Sequence, residues 1–318
     1  MIGSGANNAG VQDDDGGVGG ITGKGSFGPG IGERPSSNTL HSLVFRTFVE
    51  NKRALASVLL LVLIGLFCFV GPFIYHTNQV LTNLLNTNAS PDAGNPLGTD
   101  NLGYDILGRL MVGGQSSLEV GLTVAVISTT FGTLYGALAG WFGGAADEVL
   151  MRLVDVILSL PMILVFVFLA TVYRPTLLLL ILVLSLLSWL GTARLVRGEA
   201  LSLRTREYVQ AARGMGARSS RIVVRHIVPN AMGTIVVNAT FQVADAIIAL
   251  ALLSYLGFGL PPPAASWGGM LSNGTNFLLD GYWWEVYPAG VMILLTVIAF
   301  NFIGDALRDS LDVRLQQR

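Results

Sequence analysis

The sequence predicts an all-α, polytopic membrane protein with six transmembrane helices, and three observations lead there. Of its 318 residues, 52% are apolar and only 12% charged, and mean hydropathy is +0.60, values rare in a water-soluble domain. Six apolar runs, near 54–75, 117–141, 153–173, 176–196, 233–257 and 286–304, approach the roughly 20 residues a helix needs to cross a bilayer. With the amino terminus placed inside, every lysine and arginine except Arg109 and Arg174 falls on the inner side. That asymmetry predicts both termini in the cytoplasm.

Residues 1–40 precede the first run and carry twelve glycines in their first 32 positions. Such a segment buries too little apolar surface to offset its ordering entropy, so a disordered tail is expected. Its Gly23–Ser26 string, GKGS, imitates a phosphate-binding loop. However, Val18 stands where the first glycine belongs, and Gly25 follows the lysine where Ser or Thr is needed. The chain is therefore expected to hold no nucleotide and no cofactor of its own. A signal peptide is also not expected, because the first apolar run starts only near Ala54 and is too long for one. The single cysteine, Cys68, lies inside that run and reads as a small buried hydrophobe. His41, His76 and His226 are scattered, with no metal-ligand spacing.

Residues 41–115 hold the first span and an external segment. Thr99 or Asp100 is expected to cap a short amphipathic helix with Leu102, Ile106, Leu107 and Leu110 along one side, lying on the outer membrane surface or a partner. The spacing of Asp92, Asp100 and Asp105 matches no calcium loop, and capping explains them. Residues 116–318 form the core domain. Its first helix carries Gly132, Gly136 and Gly140 at intervals of four, a groove for a neighbouring helix. Pro161 is placed to bend the next span, and Asp155 is expected to meet an arginine or a helix end.

Between the fourth and fifth spans runs a basic insert, residues 204–230. Tyr208, Ala211, Ala212 and Met215 recur at i, i+3, i+4 and i+7 and are expected to share a helix face, shallow enough for another protein to approach. Gly214 and Gly216 are expected to stop this helix. A second short helix from Ala217 to about Val228 should be closed by Pro229. In the fifth span Thr234, Asn238, Gln242 and Asp245 fall on one side of a helix. Two readings stand for them: the lining of a substrate pathway, with Asp245 turned away from lipid, or an interhelical hydrogen-bond patch at a subunit interface. Trp267, Tyr282, Trp283, Trp284 and Tyr287 fit an outer aromatic belt.

Four segments carry a family resemblance. QAARGMG at Gln210–Gly216, nine residues, then HIVP ending at Pro229 resembles the EAA loop of permease subunits in binding-protein-dependent ABC importers, with Gln210 at the usual Glu and His226 at an Ile position. PLGTDNLGYD at 96–105 is similar to the segment before the second helix in the dipeptide, oligopeptide and nickel branch, with Tyr104 in place of Arg. MRLVDVILSLP at 151–161 also resembles its family counterpart. So does LLSYLGFGLPPPAASWGGML at 252–271, although Ala264 and Ala265 replace Thr and Pro, and Leu250 stands where an acid is expected.

The resemblance implies a type I importer permease fold in the plasma membrane, with cytoplasmic coupling helices between spans four and five. It implies as partners a second homologous permease, two cytoplasmic ATPases that bind the ATP and magnesium, an external solute-binding protein and the lipid bilayer. No nucleic-acid partner and no catalytic residue are implied. ATPase contact would fall on Tyr208, Gln210, Ala211, Ala212, Arg213, Gly214, Met215, Gly216 and Pro229, and the pathway on Asn238, Gln242 and Asp245. The substrate implied is a dipeptide or oligopeptide, with nickel or another small solute as the alternative within the family. Outside it stand a proton-coupled carrier using Asp245 and a membrane scaffold whose basic loop holds a partner or anionic lipid.

Overall fold

The computed structural model describes residues 48–316 apart from Asn78 and Val80. The glycine-rich tail, with its Gly23–Ser26 string, lies outside the described residues. Helix α1 (Lys52–Phe69) starts at Asn51, whose side-chain oxygen accepts from the backbone N–H groups of Arg53 and Ala54. A loop then leads to α2 (Ile106–Phe142), 37 residues and so ~55 Å long, well beyond a hydrocarbon core of ~30 Å. Its cap is Asp105, which accepts from Gly108 N–H at 2.7 Å. This corrects the expected short helix at the membrane surface. Asp100 instead folds a turn, accepting from the N–H groups of Leu102 and Tyr104, while Ile106 and Leu110 are buried in the bundle.

Gly143 and Gly144, both at positive φ, end α2 and turn the chain into α3 (Gly144–Leu158). The third predicted span is two helices. Helix α3 and α4 (Met162–Val172) meet at a bend of 76°, with Pro161 at the joint as the sequence suggested. Helix α5 (Leu177–Leu203) follows, and then α6 (Glu207–Gly214) of the basic insert. The last long helices are α7 (Val228–Leu253) and α9 (Tyr287–Gln316), with α8 (Trp267–Thr275) between them. Among the described residues five helical stretches are long and apolar enough to cross a membrane, six if the bent pair is one span.

The glycine groove does what its spacing predicts. A Cβ built on Gly132 would sit 2.6 Å from the Trp189 carbonyl oxygen and one on Gly140 2.7 Å from the Ala200 Cβ, while one on Gly136 would overlap the Ala193 carbonyl. So α2 and α5 pack backbone against backbone. Two apolar clusters mark the ends of the bundle. One joins Ala137, Val196, Ala200, Val209, Ile222, Ile227 and Ile235 beside the basic insert. The other joins Cys68, Ile106, Leu110, Val243, Ile247, Trp267 and Trp284 at the far end.

Trp267 corrects the belt expectation. It is fully buried, and its indole N–H donates to the Leu110 carbonyl at 2.9 Å. Trp284 is buried too, against Thr99, and only Trp283 and Tyr287 expose their rings. An indole that finds a partner for its N–H inside a bundle gives up little by leaving the interface.

Candidate coupling surface and pathway face

The basic insert folds into an elbow with an apolar underside. Val209 on α6 presses into the cluster formed by the ends of α2, α5 and α7, and Ala212, one turn on, is buried as well. Tyr208, Gln210, Ala211, Arg213, Gly214, Met215 and Gly216 face outward, and Met215 is 83% exposed. The single face assigned to Tyr208, Ala211, Ala212 and Met215 is therefore split. Ala212 belongs to the underside with Val209, and the other three form the outer surface.

The stop after α6 is a Schellman turn. Gly216 takes φ +80°, Gly216 N–H donates to the Arg213 carbonyl, and Ala217 N–H donates to Ala212. Gly216 supplies the left-handed residue; Gly214 ends inside the helix. The second short helix is corrected as well. After one turn at Ser219–Ile222 the chain passes through a π-turn, Val223–Ile227, straight into α7. Pro229 sits in the first turn of α7, where its missing N–H costs least, and the widened turn before it relieves the clash its ring would cause. Proline here redirects the helix without ending it.

Gln210 acquires a role that the sequence did not suggest. Its side-chain amide donates at 2.8 Å to the carbonyl of Arg204, the C-cap of α5. A carboxylate at this position cannot donate. Arg204 itself donates to the Gly140 carbonyl at the end of α2, so the entry to α6 is tied to two long helices. On the outer surface Arg213, Arg218, Arg221 and Arg225 are all exposed.

Two ion pairs beside the elbow clamp α3 to α5. Arg197 reaches Asp147 in a bidentate pair at 2.6 and 2.7 Å, and Arg194 meets Asp155 at 2.6 Å, the arginine contact expected of Asp155. They line an open cavity of about 450 Å³ with Gly144, Glu148, Met151 and Arg152. Asp147 and Arg197 were missed as a pair. The signal was present as Asp147 and Asp155 two turns apart opposite Arg194 and Arg197 one turn apart.

The polar stripe of α7 divides in two. Thr234 donates to Glu199 at 3.0 Å and Asn238 to Thr192 at 2.8 Å, both on α5. That half is hydrogen bonding between two helices of this chain, whereas the alternative to a pathway lining places such a patch at a subunit interface. Gln242 and Asp245 make no hydrogen bond or ion pair among the described residues, and Asp245 is exposed beside Ile248 and Leu252. Leu250, where an acid was expected, is buried against Val120, Val124 and Leu184, a site in which a carboxylate would lose its hydration without a partner.

Comparison with known proteins matches residues 132–317 to the binding-protein-dependent transport system inner membrane component family. Residues 39–91 match the N-terminal transmembrane domain of oligopeptide transport permease C. The chain is 40% identical over 270 residues to the oligopeptide transport system permease protein OppC of Bacillus subtilis, covering 85% of this chain and 88% of that protein. It is 38% identical over 285 residues to the dipeptide transport system permease protein DppC of the same organism, covering 90% and 89%. With the OppC protein of Escherichia coli K12 the identity is 41% over 269 residues, covering 84% and 89%.

Proposed function

The chain belongs to the family of binding-protein-dependent transport system inner membrane components, and from that premise we infer that it is a permease subunit of an ATP-driven importer of oligopeptides or dipeptides. It is a multi-pass membrane protein and not itself an enzyme. In this reading ATP and magnesium are held by two ATPase subunits on the cytoplasmic side. A second, related permease completes the pathway, and an external binding protein delivers the peptide. Both termini lie on the ATPase side.

The observation that carries the reading is the two-sided elbow. Its underside is locked to α2, α5 and α7 through Val209 and the Gln210–Arg204 bond, and its upper side offers Tyr208, Ala211, Arg213 and Met215 to a partner. A surface rigidly fixed to three long helices moves them when it is moved. ATPase closure would thus shift α5, and through the pairs to Asp147 and Asp155 would shift α3, opening and shutting the inner end. The open half of the stripe, Gln242 and Asp245, would face the pathway, since an acid facing lipid is costly.

Copurification of the assembled transporter with the Gly216→Pro variant tests this. Proline is fixed near φ −65°, far from the +80° required here, and removes the N–H that closes the turn. Normal membrane insertion with loss of the ATPases is the expected result. Full ATPase recovery with normal peptide uptake would remove the elbow from the coupling path.

A further inference from the structure

We infer that the far end of the bundle holds a buried proton-binding site, the carboxyl group of Glu285, occupied while the cap made by residues 261–285 is seated on the start of α2. Glu285 ends the turn Trp283–Glu285, is 3% exposed, and has no hydrogen-bond partner for either carboxylate oxygen. The cavity beside it, about 10 Å³, is lined by Asp100, Ile106, Arg109, Met270, Asn273 and Gly274. Arg109 is the one cation there among the described residues, and it is engaged elsewhere. Its Nε lies 3.6 Å from Asp100 Oδ2, its terminal nitrogens donate to the Pro263 and Ala264 carbonyls, and its plane covers the Tyr104 ring at 4.5 Å. Asp100 is satisfied in turn, its Oδ1 accepting from the N–H groups of Leu102 and Tyr104.

Among the described residues that line the cavity the charge count is then two carboxyls against one guanidinium, since Asp105, the cap of α2, turns its carboxylate to the Gly108 N–H. Helix α8 has no ionisable residue, and the first turn of α9 has no acidic or basic one. A buried carboxylate with no counter-charge takes up a proton, because neutralisation costs far less than the lost hydration. The cavity admits about one water. A water molecule can donate to one oxygen but cannot cancel the charge. Asp100 feels the same burial, which pushes its carboxyl upward, partly offset by the Tyr104 N–H and by Arg109. Because Asp100 already has partners on both oxygens, the extra proton belongs to Glu285.

The site is sealed by the cap itself. Within it α8 and the turn meet backbone to backbone, a Cβ on Gly274 lying 2.7 Å from the Glu285 carbonyl oxygen, and the cap is held on α2 by the Trp267 indole N–H on the Leu110 carbonyl and by Arg109 on the Pro263 and Ala264 carbonyls. Ionising Glu285 therefore requires the cap to part from α2. The closed cap holds a proton that the open one releases, so its stability declines as pH rises through the closed-state pKa. By the same linkage, anything that lifts the cap, a docked partner included, favours proton release.

The test uses the full chain assembled with its partner subunits in lipid nanodiscs. At neutral pH the infrared spectrum of the wild type should contain a protonated-carboxyl stretch that Glu285→Gln lacks. Melting temperature should fall in the wild type as pH rises from about 4, the free value of a glutamate, towards neutrality and stay flatter in Glu285→Gln, which mimics the protonated group. Asp100→Asn frees Arg109 for Glu285, so there the stretch should vanish at lower pH than in the wild type. Identical spectra for wild type and Glu285→Gln would overturn the proposal. So would a wild-type melting temperature that sodium raises at fixed pH while Glu285→Gln does not respond, since that pattern belongs to a metal cation.

Discussion

The two ends of the bundle handle charge in opposite ways. At the elbow end arginines stand exposed on α6 and the turn after it, or meet carboxylates in half-open pairs such as Arg194–Asp155. At the far end Arg109, Asp100 and Glu285 are withdrawn from solvent, and Arg109 and Asp100 are spent on the chain's own segments. Exposed charge is cheap to re-pair with another surface, whereas buried charge fixes one arrangement. The contrast leaves the elbow's charges open to pairing with another surface and commits those of the far end to a single closed geometry.

That contrast breaks most visibly at Arg109. Arg109→Ala leaves Asp100 buried without its cation, and about 3–5 kcal/mol of stability should be lost, read as a fall in folded, membrane-inserted protein on heating. An unchanged melting profile would mean the far end is not held by charge. At the elbow, Gly216→Val puts a β-branched residue at φ +80°, which costs on the order of 1–3 kcal/mol. If that strain falls on the docked conformation, ATPase affinity should drop roughly tenfold to a hundredfold, measured by titrating purified ATPase onto the permease pair.

Smaller effects sharpen the picture. Gln210→Glu removes the donor to the Arg204 carbonyl, a loss of about 0.5–1.5 kcal/mol. ATP hydrolysis should persist while peptide uptake per ATP falls, because α6 is then less firmly tied to α5. Asp245→Asn should lower uptake with assembly intact; unchanged uptake would assign the open half of the stripe to a subunit interface. The exposed pair Arg194–Asp155 should be worth least to stability, at most about 1 kcal/mol, so Arg194→Gln should leave the melting temperature nearly unmoved.

Much of this architecture is legible in the sequence where a local rule has a single solution. The Gly132, Gly136 and Gly140 groove, the bend at Pro161 and the left-handed Gly216 follow from sterics that no tertiary contact overrides. Legibility fails where one rule has several solutions. Thr99, Asp100 and Asp105 can all cap a helix, and only the turn closed by Asp100 leaves that role to Asp105. A proline is expected to end a helix, but a π-turn upstream of Pro229 accommodates it. Trp267 belongs at an interface by composition and in the core by packing, and the Leu110 carbonyl decides. The candidate site divides in the same way. The outer residues of the elbow are visible from its motif, whereas Val209 beneath it, Asp147 opposite Arg197 and the isolation of Glu285 depend on which helices happen to meet.

The central claim is that a separate ATPase grips the outer face of α6. Cys68, the only cysteine, is buried, so Met215→Cys introduces one exposed thiol at the tip of the elbow. In the assembled, transporting complex that thiol should cross-link to an ATPase carrying a cysteine in its docking groove, and the yield should change with ATP. Cross-linking to no subunit, or labelling by a membrane-impermeant thiol reagent added outside intact cells, would contradict it.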